Sequence, residues 1–273
     1  MTKTEISIYE SKEIRKTYHN DEWWFVVEDI VLALIYSTDV KQYIKRMKQR
    51  DAELKKGWVQ IVHTLPVETS GGKQRMNCAN LEGIFRIIQS IPSPKAEPFK
   101  KWLAKVGYDR VQEVDNPELA TKRTKELYKA KGYPDEWIEK RMRGIAVREE
   151  LTDEWNIRGV SRSIEYAILT NEIMKGAFEL TVDEYKNYKG LDRQNLRDHM
   201  DDLELILTML AEATTTKFTR ERNSRNFPKL KEDARDGGNV AGRTRKDIES
   251  QIGEKVVSNK NYLPETKRKK LKS

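Results

Sequence analysis

Basic and amide side chains are concentrated in the segment STDVKQYIKRMKQR at residues 37–50. Val40, Ile44 and Met47 have the spacing of one buried helix face, which predicts a helix over residues 38–49. The exposed side chains would then form two ridges, the first made of Lys41, Lys45 and Lys48 and the second of Gln42, Arg46 and Gln49. Lysines contact phosphates as point charges, whereas arginine and glutamine can pair with the edges of guanine and adenine. We therefore expect this helix to bind double-stranded DNA, although an ordinary surface helix also carries a charged face.

Further basic residues could extend this surface. Lys55 and Lys56 precede Trp58, and Lys73 and Arg75 lie on the rising arm of a predicted hairpin. Phosphate contacts from these side chains would strengthen binding to any nucleic-acid sequence. The hairpin tip at residues 68–75 could equally be a solvated loop.

The histidines give no support for catalysis or metal binding. His19, His63 and His199 are scattered, without a two-histidine metal spacing or a nearby nucleophile pattern, so we expect surface or structural roles. Asp198, Asp201 and Asp202 surround His199, but consecutive helical residues point in different directions. A solvated helix start is the simpler interpretation of this acidic segment. The sequence predicts no enzyme, no metal and no cofactor.

Two smaller features also have simple explanations. Cys78 lies on an apolar strand, where we expect a small buried side chain rather than a reactive thiol. Gly71, Gly72 and Lys73 lack the full spacing of a phosphate-binding loop. Neither feature predicts a nucleotide site.

The overall charge favours a polyanionic partner. The chain has 273 residues and a net charge of +8, and charged residues make up 35% of it. A single cysteine excludes an internal disulfide and a cysteine-based zinc cage. The N-terminal sequence lacks the apolar run of a signal peptide, and we find no apolar stretch long enough to span a bilayer. We expect a cytoplasmic protein without membrane contact.

The first part of the chain predicts a small α+β domain with two hairpins. Strands are expected at residues 6–9, 14–18 and 23–25, with Asn20 and Asp21 forming a turn. A second hairpin is expected from strands at 58–63 and 74–78, joined by a long turn that contains Pro66, Ser70, Gly71 and Gly72. Helices are expected at residues 26–35, 79–89 and 95–106.

The second part predicts a mainly α-helical domain. Helical patterns occupy residues 117–131, 135–149, 163–176, 182–188, 193–213 and 240–252. Residues 214–240 are rich in Thr, Arg, Asn and Gly, which predicts a mobile loop. Leu196, Met200, Leu203, Leu207 and Leu210 form a heptad-like seam, which we interpret as a stripe of the domain's own core rather than a dimer contact. The oligomeric state stays open.

Several long sequence blocks resemble the Bro N-terminal domain of prophage antirepressors. They are WWFVVEDIVLAL at 23–34, YIKRMKQRD at 43–51, WVQIVHTLP at 58–66 and NCANLEGIFRIIQSIPSPKAEPFKKWLAKVG at 77–107. The resemblance covers about the first 112 residues and implies a DNA-binding α+β domain. It also implies that Lys41, Lys45, Arg46 and Lys48 lie in a region available to DNA.

A shorter resemblance concerns the second half. The segments at 185–205 and 237–253 are similar to the C-terminal part of DNA-damage-inducible protein D. This implies a damage-response role through contacts with recombination or repair proteins. Two functions therefore remain open: a DNA-binding regulator of the antirepressor type, or a protein that antagonises a repressor or recombinase by direct contact.

These patterns together predict four segments. Residues 1–112 would form the Bro-type DNA-binding domain, and residues 113–150 a helical connector. Residues 151–263 would form a helical domain similar to DNA-damage-inducible protein D, and residues 264–273 a basic tail.

We predict that the isolated segment 1–112 folds alone, because its apolar stripes can close a core with the two hairpins. Thermal melting followed by circular dichroism should show one cooperative transition. A non-cooperative melt would mean that the rest of the chain supplies part of this core.

Overall fold

A computed structural model of the chain describes residues 4–9 and 12–263. The chain divides into two compact units, residues 1–120 and residues 121–273. The basic tail predicted at 264–273 lies outside the described residues, and the four predicted segment boundaries stay predictions. The predicted classes are confirmed, since the first unit combines a sheet with helices and the second is mainly helical. Across the described residues, no helix combines the length and the apolarity needed to cross a membrane.

The first unit contains an antiparallel sheet in the order β1-β2-β3-β5-β4. Its strands are β1 (Thr4–Tyr9), β2 (Lys12–His19), β3 (Glu22–Val26), β4 (His63–Thr69) and β5 (Gly72–Ala79). Asn20 and Asp21 both have positive φ angles, 50° and 61°, between the paired residues His19 and Glu22. This is the tight turn that the sequence predicted, since Asn and Asp tolerate the left-handed conformation.

The prediction of a strand at 58–63 is wrong, because most of this segment belongs to a helix. Leu54, Trp58 and Ile61 have helical spacing, and Leu54 is buried while the other two are half-buried. The β-propensity of Trp58 and its neighbours is overridden by this packing. The predicted long turn is also wrong, since Pro66 lies within β4. Proline is tolerated there because β4 is an edge strand of the sheet.

The described residues of the first unit also form five α-helices. They are α1 (Val27–Leu34), α2 (Val40–Arg50), α3 (Ala52–Ile61), α4 (Leu81–Gln89) and α5 (Glu97–Asp115). The core is built from buried residues of α1, α2 and α4, among them Val31, Met47 and Ile87. The three predicted helices at 26–35, 79–89 and 95–106 are confirmed in position, and α5 runs nine residues beyond its predicted end at 106, to Asp115.

The second unit is mainly helical and begins within α6. Its α-helices are α6 (Glu118–Ala130), α7 (Asp135–Ile157), α8 (Ser163–Phe178), α9 (Val182–Tyr188), α10 (Asp202–Glu221) and α11 (Phe227–Ile252). The predicted loop at 214–240 is wrong, because most of it, residues 214–221 and 227–240, belongs to α10 and α11. The helix predicted at 193–213 is interrupted, because Asp201 caps a new helix by accepting a hydrogen bond from the Glu204 N–H. Before it lies only a short 3-10 helix, Leu196–His199.

Small residues make α11 the centre of the second unit. A Cβ atom placed on Gly238 would lie 2.5 Å from the Ile173 carbonyl oxygen of α8, and one on Gly242 would lie 2.1 Å from the Gly176 oxygen. On another side, a Cβ on Gly237 would lie 2.1 Å from the Thr215 hydroxyl of α10. Glycine is therefore needed because the helix backbones touch.

The leucine seam contributes to the core of its own unit, as expected. Leu196, Met200 and Leu207 are buried there, and Leu210 packs against them half-buried. Leu203 is an exception because it is 38% exposed. The break before α10 rotates the two halves of the seam out of a single helical register.

We predict that Gly238→Ala lowers the free energy of unfolding by about 1–3 kcal/mol, because the new methyl group overlaps the α8 backbone. Chemical unfolding followed by far-ultraviolet circular dichroism measures this. The matched control is Gly144→Ala in α7, where a Cβ would meet only Met209 at an ordinary 3.5 Å. The control should be neutral or up to about 1 kcal/mol more stable, since alanine favours helix over glycine. Equal stability of the two variants would contradict the close packing.

Candidate nucleic-acid interface

Helix α2 is anchored at its start by a side-chain cap. The Asp39 carboxylate accepts a hydrogen bond of 3.0 Å from the Gln42 N–H. The Ser37 hydroxyl accepts from the Asp39 N–H at 3.2 Å and holds the residue that caps the helix. Aspartate also suits this position because its charge complements the helix dipole.

The predicted division of α2 into buried and exposed faces is confirmed. Ile44 and Met47 are buried and Val40 is half-buried against the core. Five of the predicted DNA-binding residues are exposed, namely Lys41, Gln42, Lys45, Arg46 and Gln49. Within the described part of the chain, their side chains form no hydrogen bond or ion pair. The helix has five basic residues and no acidic residue, so it presents uncompensated positive charge.

Lys48 differs from the other lysines of α2. It is half-buried, and its ammonium lies 4.5 Å from the centre of the Trp58 ring. A cation–π contact of this kind holds the side chain against α3. Lys48 therefore connects two helices, which the spacing of the lysines did not predict.

Arg50 is a further basic residue of α2. It is exposed at the end of α2, with its guanidinium 5.9 Å from the Tyr43 ring. Its position three residues after Met47 placed it outside both predicted ridges. It adds a positive charge at the C-terminal end of α2, where the helix dipole favours a cation.

Asp51 fixes the junction between α2 and α3. It ends α2 and also caps α3, since its carboxylate accepts a 2.8 Å hydrogen bond from the Leu54 N–H. The same carboxylate accepts hydrogen bonds from the Ser90 hydroxyl and from the Arg86 guanidinium at 2.9 Å. These contacts hold α2 and α3 against α4. The sequence offered only a weak sign, the i, i+4 spacing of Arg86 and Ser90.

These hydrogen bonds stabilise the charged form of Asp51. Donation from Ser90 contributes most, followed by the Leu54 N–H and Arg86, and together they lower the pKa of Asp51 from 3.8 to about 2. The carboxylate therefore remains ionised well into the acidic range.

Lys73 and Arg75 lie on a different element, the β4–β5 hairpin. Both side chains are exposed, and because the two residues are two positions apart in a strand they lie on the same face of β5. The Lys73 ammonium lies 3.8 Å from the Glu68 carboxylate, and Arg75 donates to the Thr64 carbonyl oxygen at 3.2 Å. The two side chains thus have partners across the hairpin, unlike the exposed residues of α2.

The acidic segment near His199 forms structural contacts in the second unit. His199 is buried, and the Asp198 carboxylate accepts hydrogen bonds from Arg141 at 2.9 Å and from Tyr128 at 3.1 Å. The predicted helix start is present, since Asp201 caps α10, but the expectation that the whole segment is solvated is wrong for Asp198 and His199. Among the residues that the structure describes, no group of three or more His, Cys, Asp or Glu side chains is arranged to hold a metal ion.

Cys78 is fully buried between strands, as predicted. Burial raises the pKa of its thiol to about 12. The thiol is therefore protonated and unreactive at neutral pH.

Comparison with known protein families gives a match within the first unit. Residues 13–114 match the BRO family, N-terminal domain. This span contains α2, the Asp51 junction and the β4–β5 hairpin. No curated protein matches the chain in sequence.

We predict that Asp51→Asn destabilises the first unit at neutral pH. The folded-state pKa is lowered, so the stabilisation is fully present above the unfolded-state value of 3.8 and is lost as the pH falls through about 2. The difference in thermal midpoint between parent and variant should be constant above about pH 5 and shrink towards pH 2.

Glu53→Gln is the matched control for this experiment, since Glu53 is an exposed acid in the first turn of the same helix. Its midpoint should remain close to that of the parent throughout. A parent–Asp51→Asn difference that does not change with pH would contradict the role given to the ionised carboxylate.

Proposed function

We propose, from the match of residues 13–114 to the BRO family N-terminal domain, that this chain is a DNA-binding regulator of transcription related in function to prophage antirepressors. The first unit would bind double-stranded DNA. The helical second unit would select a protein partner. The observation that carries the proposal is the exposed, unpaired set of basic and amide side chains on α2.

The chemistry of this set suits a DNA groove. Lys41 and Lys45 would neutralise phosphates and fix the position of the helix. Arg46 would pair with guanine, and Gln42 and Gln49 with adenine. A major groove admits an α-helix, and α2 has a rigid buried face that would hold it in place.

The remaining candidate residues would have supporting roles. Lys48 lies on Trp58 and would add positive charge rather than a base contact. Lys73 and Arg75 have partners across the hairpin and would contact the phosphate backbone at the edge of the interface. We propose no catalytic, metal-binding or cofactor-binding residue.

The partner of the second unit would be a repressor or a recombination protein. A role in the DNA-damage response, implied by the resemblance of segments 185–205 and 237–253, stays a prediction. The single cysteine, deeply buried with a raised pKa, is compatible with the cytoplasm of a cell.

We predict different effects for the two ridges of α2. Lys41→Ala or Lys45→Ala should weaken binding to every DNA sequence and reduce the salt dependence by about one unit of slope per lost phosphate contact. Arg46→Ala should cost about 1–3 kcal/mol, chiefly on the preferred site. Fluorescence anisotropy with duplex DNA over a salt series measures both effects, after selection of a preferred site from random duplexes.

Lys101→Ala is the matched control, because Lys101 is an exposed helical lysine of the same unit outside α2. Its affinity and salt slope should equal those of the parent. If the α2 variants bind like the parent while Lys73→Ala or Arg75→Ala does not, the hairpin is the main contact. If all of these variants behave like the parent, the chain acts by protein contact instead. Cleavage of DNA by the parent would contradict a purely binding function.

A further inference from the structure

We infer that a cavity in the helical unit binds a small organic phosphate, an ester with an apolar body. The cavity has a volume of about 280 Å³ and lies among α8, α9 and the segment that leads into the 3-10 helix at 196–199. All of its lining residues belong to the second unit. The inference is therefore independent of the DNA-binding role proposed for the first unit.

Among the described residues, three basic side chains and no acidic side chain line this cavity. The basic side chains are those of Lys186, Arg193 and Arg197. The Lys186 ammonium has no hydrogen bond or ion pair among the described residues. The Nε atom of Arg197 is buried without a hydrogen-bond partner in the same part of the chain. A buried donor of this kind is costly unless another group accepts from it.

Two carboxamide groups add further donors. The Gln194 side-chain oxygen accepts from the Asp192 N–H at 2.7 Å, and the Asn195 oxygen accepts from the Arg197 N–H at 3.0 Å. These contacts fix the orientation of both amides. Their NH₂ groups make no hydrogen bond within the described residues. The Lys186 ammonium, the Arg197 Nε and these two NH₂ groups are thus donors without an acceptor among the described residues.

The charge balance next to the cavity is also positive. Arg197 and Arg148 both contact the same oxygen of the buried Glu212 carboxylate, at 2.5 and 3.5 Å. Burial lowers the pKa of Arg148, and although Glu212 opposes this effect, the positive charge of Arg197 adds to it. One carboxylate therefore compensates two guanidinium groups, which favours an additional anion.

The rest of the wall is apolar. Met174, Leu196 and Met200 are buried, and Val182 is half-buried. A free phosphate ion would leave this wall uncovered, whereas an ester would cover it with its organic group. Phosphate also suits the site better than a carboxylate, because its three terminal oxygens can accept from several of these donors at once.

The test uses phenyl phosphate as the probe and the full chain, with isothermal titration calorimetry at constant ionic strength. Phenyl phosphate should bind at least about tenfold more tightly than inorganic phosphate, since only the ester covers the apolar wall. Lys186→Met and Arg193→Met should each weaken its binding by about tenfold, because each removes a charged donor. Val182→Thr should weaken phenyl phosphate but not inorganic phosphate.

Lys175→Met is the matched control, since Lys175 is an exposed lysine of α8 that does not line the cavity. It should bind phenyl phosphate like the parent, as should Lys41→Ala in the first unit. Circular dichroism melts verify that each variant is folded. Absence of saturable binding up to about 10 mM, or unchanged binding by both Lys186→Met and Arg193→Met, would overturn the inference.

Discussion

Direct contact between the backbones of α8 and α11 is the constraint on which the helical unit depends. Gly176, Gly238 and Gly242 leave no room for a side chain where the two helices meet. Thr215 of α10 contacts α11 equally closely through Gly237, and its hydroxyl is satisfied by donation to the Ala211 carbonyl oxygen. Helices that approach this closely exclude water along their length, so polar residues such as threonine can lie in the core with their hydrogen bonds made internally. The cavity lined by Lys186, Arg193 and Arg197 is formed by α8 and by segments of the same unit that follow it.

In the first unit, helices are held together by a charged side chain, whereas in the second unit glycines allow them to pack closely. Asp51 holds three helices by joining a cap, a hydroxyl and a guanidinium at one carboxylate. This arrangement holds the buried face of α2 against the core, and the exposed face is not needed for packing. The exposed lysine, arginine and glutamine side chains can therefore contact a ligand without lowering the stability of the unit. Lys48 marks the boundary between the two roles, because its position on Trp58 gives it a structural contact.

Much of this organisation could be predicted from the sequence, and the failures have physical causes. Val40, Ile44 and Met47 revealed α2 because an amphipathic period is a local property. The strand at 58–63 was wrongly predicted because Trp58 and its neighbours have high β-propensity. The cap at Asp51 starts a helix at Ala52, and this helix includes Trp58. The prediction of a loop at 214–240 was wrong for a different reason. Its glycines and threonines have low helix propensity, and only the partners on α8 and α10 show why they are required. The Asp51 contacts with Arg86 and Ser90 join residues far apart in sequence, so no local pattern contains them.

The position of α11 also affects how the chain matures during synthesis. Its glycines meet α8 and α10 only after residues 227–252 have left the ribosome. At about 5–20 residues per second, the span from residue 178, where α8 ends, to residue 252 takes roughly 4–15 seconds to translate. Throughout this interval α8 exposes the surface that α11 will cover. The close packing of the helical unit can therefore form only after its last long helix has been synthesised.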